Sequence, residues 1–318
     1  HEDYRDYYER QGWSLFSEIH IPYTPVSFKA EYFDEDHDFM PVASPWSITK
    51  NDDPWREQPL VAEGTARFLE GTVTVDTRND YSDPTDGWLA RAVLRRGIGG
   101  KLVLPAHLVS SDGPPETIDP QEFDTGFLTG FLDVRGYLTI NPGSSLNIRG
   151  VAGGALNGVP LPPQYQHALG GVGSLPGHHT FAQDCGARDL ERTFDHITDD
   201  GTIRPQVFPS YGCDRFALFQ AEFRGNLFMD WSPGWDEEED PWEDDWNWYP
   251  DIDFSPNWAA FFNAGRAWSI DGPDTDTLLD VGVGIFFGDL GAYFAYPLTE
   301  DRNGDRDGNF FIRLSRRF

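Results

Sequence analysis

The strongest constraint on this chain is a period of two. Apolar and polar residues alternate through segments about ten residues long, which places them on opposite faces of β-strands. At 25–33, Val26, Phe28, Ala30 and Tyr32 share one face, and Ser27, Lys29 and Glu31 the other. At 127–140, Leu128, Gly130, Leu132, Val134, Gly136, Leu138 and Ile140 oppose Thr129, Phe131, Asp133, Arg135, Tyr137 and Thr139. At 215–225, Ala217, Phe219, Ala221 and Phe223 oppose Leu218, Gln220, Glu222 and Arg224. Eleven segments read this way: about 12–20, 25–33, 66–78, 87–96, 127–140, 145–156, 215–225, 257–268, 279–287, 290–298 and 309–318. No segment carries a helical period, so the expected class is all-β.

Two folds accept such strands. A soluble sandwich or barrel buries the apolar face in a dry core. A membrane barrel turns it to lipid and keeps the polar face inside. The connections separate the two. Short turns at Ile21–Thr24, Asn79–Asp86, Asn141–Ser144 and Gly288–Asp289 alternate with long ones at 34–65, 97–126 and 157–214. Short turns at one end and long loops at the other is the outer-membrane arrangement. Inward Lys29, Glu31, Asp133, Arg135, Glu222 and Arg224 also suit a wet lumen, since an unpaired charge in a dry core costs several kcal/mol. The expected fold is therefore a transmembrane antiparallel up-and-down β-barrel in one domain, with 157–214 as a long extracellular loop. One connection breaks the alternation. An insertion at 226–256, on the short-turn side, interleaves Asp236, Glu237, Glu238, Glu239 and Asp240 with Trp231, Trp235 and Trp242. A solvated acidic loop is its simpler reading; a dock for a basic partner or calcium is the sharper one.

Composition removes other classes. Among 318 residues, 24 Lys and Arg face 53 Asp and Glu, a formal charge of −29. That excludes nucleic-acid binding, which rests on cationic neutralisation of phosphates, and polybasic docking on anionic headgroups. A mean hydropathy of −0.51 and the absence of long apolar runs exclude helical membrane spans and say nothing of strands. The two cysteines, Cys185 and Cys213, lack Cys-x-x-Cys spacing, which argues against structural zinc and leaves them as a candidate disulfide. The chain opens at His1 without a signal-peptide pattern, so a removed targeting segment or a longer parent chain is expected.

The ending adds a motif. Counting back in twos from the last residue gives Phe318, Arg316, Leu314, Ile312 and Phe310. This row, with its terminal aromatic, is similar to the C-terminal insertion signal of bacterial outer-membrane barrels, carried here by Phe310, Ile312, Leu314 and Phe318; Arg316 departs from it. Asp76-Thr77-Arg78 followed by Asp83-Pro84-Thr85-Asp86-Gly87-Trp88 resembles a hairpin signature of the bacterial surface antigen family, the assembly and translocation barrels of BAM and TAM type. Phe219–Arg224, Phe261–Trp268 and Gly291–Leu298 resemble its late strands. Gly173, Leu175, Pro176, Gly177 and His178 stand where that family carries a loop motif. The resemblance runs from about residue 66 to 318, more loosely from residue 12.

The resemblance implies a sixteen-stranded barrel in the bacterial outer membrane, non-enzymatic and without a required cofactor. It would contact outer-membrane lipid, client polypeptides and periplasmic partners. Five strands follow the long loop, as it requires; six precede it where eleven are expected. A chain lacking its first five strands is one account, and a barrel of twelve strands is the other. The family's loop arginine, which pairs with a lumen carboxylate, falls at Pro176, which has no donor. His178 or Arg188 are candidates to replace it.

Other chemistry is weaker. Asp301, Asn303, Asp305 and Asp307 alternate as oxygen ligands for calcium do, but the run lacks the EF-hand glycine and glutamate; a polar turn is the simpler reading. Ser174 is not in a Gly-x-Ser-x-Gly elbow. A passive pore, or an enzyme or adhesin working through the long loops, are the alternative functions.

Overall fold

The computed structural model describes residues 8–40, 60–109, 116–183, 185, 193–197, 201–207, 212–227, 256–301, 304 and 306–314. Its frame is one antiparallel up-and-down sheet. In order, it contains β1 (Tyr8–His20), β2 (Val26–Phe39), β3 (Glu63–Asp76), β4 (Gly87–Leu104), β8 (Leu128–Asn141), β9 (Ser144–Ala155), β12 (Arg215–Asn226), β13 (Asn257–Trp268), β14 (Leu278–Phe287), β15 (Leu290–Pro297) and β16 (Asn309–Arg313). Each segment predicted from alternation is one of these strands. Short β7 (Gln121–Phe123) adds to the far end of β4.

The sequence pattern missed a second sheet, of four strands. It is built from β5 (His107–Val109), β6 (Glu116–Ile118), β10 (Thr193–Ile197) and β11 (Ile203–Val207), in the order β11-β10-β5-β6. These strands are three to five residues long, too short to show a period. They lie within the long connections on either side of β8 and β9.

The two faces of the large sheet have opposite chemistry. Outward residues are apolar and bare: Leu94, Val283, Phe310 and Ile312 are 51%, 58%, 65% and 63% exposed. Taking a side chain of this kind out of water is worth about 1.5–3 kcal/mol, so the wall is built for a hydrocarbon surrounding. Inward residues are charged and paired. Arg135 and Arg149 are directly opposite on β8 and β9, which alone would repel. Asp133 offsets them, accepting from Arg135 Nη2 and Arg149 Nη2, each at 2.8 Å. Arg95 meets Glu70 at 2.7 Å, Arg78 meets Asp76 at 2.7 Å, and Lys29 and Arg224 pair with Glu31 and Glu222. This sorting, with grease outside and charge inside, is that of a transmembrane up-and-down barrel.

The turns follow the local chemistry. β14 and β15 are joined by Gly288-Asp289, where Gly288 takes φ 56°, the left-handed conformation a two-residue hairpin requires. The insertion at 226–256 lies almost wholly outside the described residues; Leu227 N–H donates to Pro256 O across its base.

The long segment after β9 turns back over the inner face. Its first part carries a 3₁₀ turn, Pro163–Tyr165. Leu161 and Tyr165 join Phe68, Phe127, Leu102 and Ala155 in one cluster. Leu169, Leu175 and Ala182 join Val151, Leu218, Ala267 and Leu278 in another. Cys185 and Cys213, both buried in that second cluster, form a disulfide with a sequence separation of 28. The bridge ties the returning segment to the start of β12, and no strand pairing depends on it. Replacing both cysteines with serine should therefore leave heat-modifiable migration of the barrel unchanged. It should speed proteolysis within 157–214, since closing such a loop is worth about 3 kcal/mol; unchanged digestion would count against this role for the bridge.

Candidate functional site

The returning segment is held by a row of specific bonds as well as by packing. Two latches can be distinguished.

The first latch lies across β12 to β16. Gly177 N–H donates to Asp280 Oδ2 at 2.9 Å, and Asn263 Nδ2 donates to Asp280 Oδ1. Asp280 is fully buried on the inner face of β14. His178 Nε2 donates to Leu279 O at 3.1 Å, Gln220 Nε2 donates to Ser174 O at 2.9 Å, and Asn309 Nδ2 donates to Pro176 O at 3.1 Å. Gly177 is there because nothing larger fits: a Cβ would stand 2.7 Å from Asp280 Cβ and 3.0 Å from Pro297 N. Arg149 Nη1, 3.5 Å from Gln220 Oε1, extends the row to Asp133.

The loop motif thus hydrogen-bonds to three strands, β12, β14 and β16. Leu175, Pro176, Gly177 and His178 are buried, while Gly173 is exposed at the bend. The buried Asp280 carboxylate is met by a backbone amide and a carboxamide. Hydrogen bonds to a charged acceptor are worth about 1.5–3 kcal/mol each. Asp280, Asn263, Gln220 and Asn309 were not singled out from sequence. Asp280 carried the signal: it is the one charged residue on a face otherwise made of Gly282, Gly284 and apolar neighbours.

The second latch lies over β2 and β3. Gln164 accepts from Ala62 N–H at 3.1 Å and donates to Ala62 O at 2.8 Å, which fixes the orientation of its amide. Its Nε2 also faces His37 Nδ1 at 3.3 Å, making Nδ1 the acceptor. His37 Nε2 then carries the proton, 3.2 Å from the Tyr165 hydroxyl and 3.4 Å from Glu35 Oε2. His37 is fully buried, its ring between Tyr8 and Tyr165 at 5.3 and 5.7 Å. Burial pushes the Tyr165 hydroxyl well above the ordinary tyrosine range, so it stays protonated. Asp214 closes the base of the segment, accepting from Leu161 N–H at 2.8 Å and Ile270 N–H at 3.0 Å.

Other sequence candidates are placed as follows. Ser174 Oγ donates to Gly170 O at 2.9 Å and accepts from Gly170 N–H at 3.0 Å, a turn-closing role. Asp301 is buried, with its carbonyl accepting from Gly304 N–H, and Asp307 is exposed. Asn303, Asp305 and Arg188 lie outside the described residues. No group of three metal-ligating side chains occurs among the described residues. Phe310, Ile312 and Leu314 point outward from the last strand, and Phe318 lies outside the described residues.

The first latch gives a mutational expectation. Asp280→Ala leaves Gly177 N–H and the Asn263 amide without their acceptor, and should weaken docking of the segment by about 2–4 kcal/mol. Gly177→Val should do the same by collision. Faster proteolysis at 170–183, with strand content by circular dichroism unchanged, is the expected reading for both.

His167 gives a pH expectation. It lies in the returning segment, bridged to Cys213, with its ring 4.7 Å from Phe216. Burial disfavours the charged ring and lowers its pKa from 6.5 to about 4, against a smaller opposing pull from Asp214. The released segment therefore binds a proton before the docked one does. Docking strength is full above pH 6.5, falls as pH drops toward 4, and by then is reduced by at most about 3 kcal/mol. Hydrogen exchange of 157–183 should quicken over that interval. In His167→Phe, which cannot titrate, that acceleration should be lost.

Comparison with known proteins supports the fold. The structure is similar to the crystal structure of BamA from Haemophilus ducreyi lacking POTRA domains 1-3, with a TM-score of 0.53 and 12% sequence identity. The match covers 96% of this chain and 55% of that one, so the chain spans about half of its neighbour's length. No family model matches the sequence, and no curated protein does. At this identity the likeness shows a shared fold: an antiparallel up-and-down β-barrel wall of the kind found in BamA.

Proposed function

We propose that this chain forms the wall of a bacterial outer-membrane barrel of the assembly type, assisting the insertion or passage of polypeptides. The observation that carries the reading is the bare edge of the last strand. Among the described residues, β16 pairs only with β15. An open edge presents unpaired N–H and C=O groups, a template on which another strand can form. β-strand addition of this kind supplies affinity through main-chain bonds and leaves side chains free to vary. That suits a protein whose clients share a strand pattern rather than a sequence.

Two further features support the reading. The latched segment covers much of the inner face, which works against a permanently open conduit and so against a passive pore. Ser174 spends its hydroxyl on a turn, which removes the motivation for a loop hydrolase. The proposed orientation places the long connections outside the cell and the short turns in the periplasm, where further partners would be met.

The test uses vesicles with and without the chain, and an unfolded eight-stranded barrel protein as client. Folding of the client should be faster in vesicles that hold the chain. A photoreactive phenylalanine at Phe310 or Ile312 should crosslink to the client during folding. A steady open conductance with no acceleration would favour the pore and defeat the assembly reading.

A further inference from the structure

The second latch contains a group whose hydrogen-bonding character changes with protonation, held against a partner that has no freedom to adjust. His37 Nδ1 accepts from Gln164 Nε2 at 3.3 Å. The Gln164 amide meets Ala62 twice: its Oε1 accepts from Ala62 N–H at 3.1 Å, and its Nε2 donates to Ala62 O at 2.8 Å. Turning that amide over would set like against like at both contacts. A protonated imidazole carries N–H on both nitrogens. Its Nδ1–H then faces the Gln164 NH2, donor against donor, and reorienting the ring does not help. His37 is fully buried, so water does not relieve the conflict while the segment is docked.

The charges around His37 belong to the wall and not to the segment. Glu35 is two residues away on the same strand, with Oε2 3.4 Å from Nε2. β1 contributes Tyr8, stacked on the ring, and Arg10, which lies opposite His37 and meets Glu35 at 3.6 Å. β3 contributes Glu63, which accepts from Phe39 N–H at 3.3 Å, and β4 contributes Arg95, held by Glu70 at 2.7 Å. The attraction of Glu35 for a charged ring is therefore present whether the segment is docked or released. Among the described residues, docking adds Gln164, Tyr165 and burial. Gln164 opposes the proton, and burial opposes the charge. The Tyr165 hydroxyl, 3.2 Å from Nε2, meets the same N–H in either form. The balance between docked and released states thus shifts toward release when His37 is charged. The residues that alternate with His37 here, Asp34, Asp36 and Asp38, turn carboxylates outward, which places this end of β2 beyond the hydrocarbon and within reach of the pH on the loop side.

We infer that His37 is a proton-operated release for the turn Pro163–Tyr165. When the ring takes a proton from solvent, Gln164 leaves Ala62 and the covering segment gives up its hold on β2 and β3. The first latch and the disulfide keep the rest of the segment in place. The inference concerns the cover alone and stands apart from the assembly reading.

The experiment is hydrogen exchange of the full chain in detergent micelles between about pH 8 and pH 5, the interval in which histidines charge. Protection of the Ala62 amide is taken relative to its intrinsic rate at each pH. That amide reports the contact directly, since Gln164 accepts from it. The segment's own amides nearby are bonded elsewhere, Tyr165 to Pro162 O, Gln166 to Pro163 O and Leu161 to Asp214, so the signal is separate from that of His167. Protection at Ala62 should fall roughly tenfold or more across the interval, as the loss of a buried partner predicts. In His37→Gln it should not change with pH. In Gln164→Glu the sign should reverse: a carboxylate accepts from both Ala62 N–H and the charged ring, so protection should rise as pH falls, an outcome that damage to the fold does not produce. Constant protection in the parent chain, the same fall in His37→Gln, or a fall in Gln164→Glu would overturn the inference.

Discussion

A β-strand has two faces, and this chain gives each a different surrounding. Hydrocarbon offers no partners for N–H and C=O, so a wall in lipid must satisfy its backbone within the sheet. The long ladders from β1 to β16 do that, except at the two ends. Once the backbone is arranged so, each side chain has only two choices, and the alternation decides between them. A one-residue slip in any strand would send Asp133, Glu222 or Asp280 to the lipid side and Leu132, Phe223 or Val281 inward. The paired charges of the lumen therefore help to fix register as well as solvation: Asp133 is in place only while both Arg135 and Arg149 face it.

A wall alone leaves its inner face wet, and the segment after β9 covers it. The contrast between its two latches is informative. Over β2 and β3 the contact is aromatic, with Tyr165 against Phe68, Phe127 and His37. Over β12 to β16 it is a backbone contact, made by Gly177, Ser174 and Pro176 through their amide and carbonyl groups. A guanidinium fork acts through a long, entropically costly side chain. An amide held at Gly177 has no such freedom to lose, so the contact is rigid where a fork would have reach. The requirement moves to Gly177 and Asp280, which must approach within van der Waals contact.

The large sheet was legible because its pattern is long and repetitive, with eleven segments each of about ten residues. Its ends were less so, as where β4 runs on to Leu104 past the predicted 96. There the alternation dissolves into Gly97, Gly99 and Gly100, glycines that match either face. The small sheet was invisible because strands of three to five residues hold too few side chains to define a period. The site was half legible. The loop motif stood out by its resemblance to the surface-antigen loop, but its partners did not, because Gln220, Asn263 and Asn309 are ordinary polar positions until a loop is laid over them. Only Asp280 carried a warning, a carboxylate in a strand face otherwise built from glycine and apolar residues.

The two edge strands of the described sheet are not braced alike. β16 sits on a braced surface. On the inner faces of β13 to β16, Phe261 lies over Gly282 and Tyr293 over Gly284, each ring filling the space a side chain would take. Tyr293 then stacks on Phe311 at 5.3 Å with planes 13° apart, and Asn309 reaches the latched loop. β1 has little of this. Almost all of its residues are exposed, and its side-chain ties run mainly to β2 through Arg10, Trp13 and Tyr8. The cost of peeling a strand is set by the side-chain packing it gives up beyond the ladder itself. Peeling an end strand therefore costs less at β1 than at β16, whose packing on its neighbours holds its shape. On the templating reading proposed above, β16 is the edge that would offer an incoming strand a preset register.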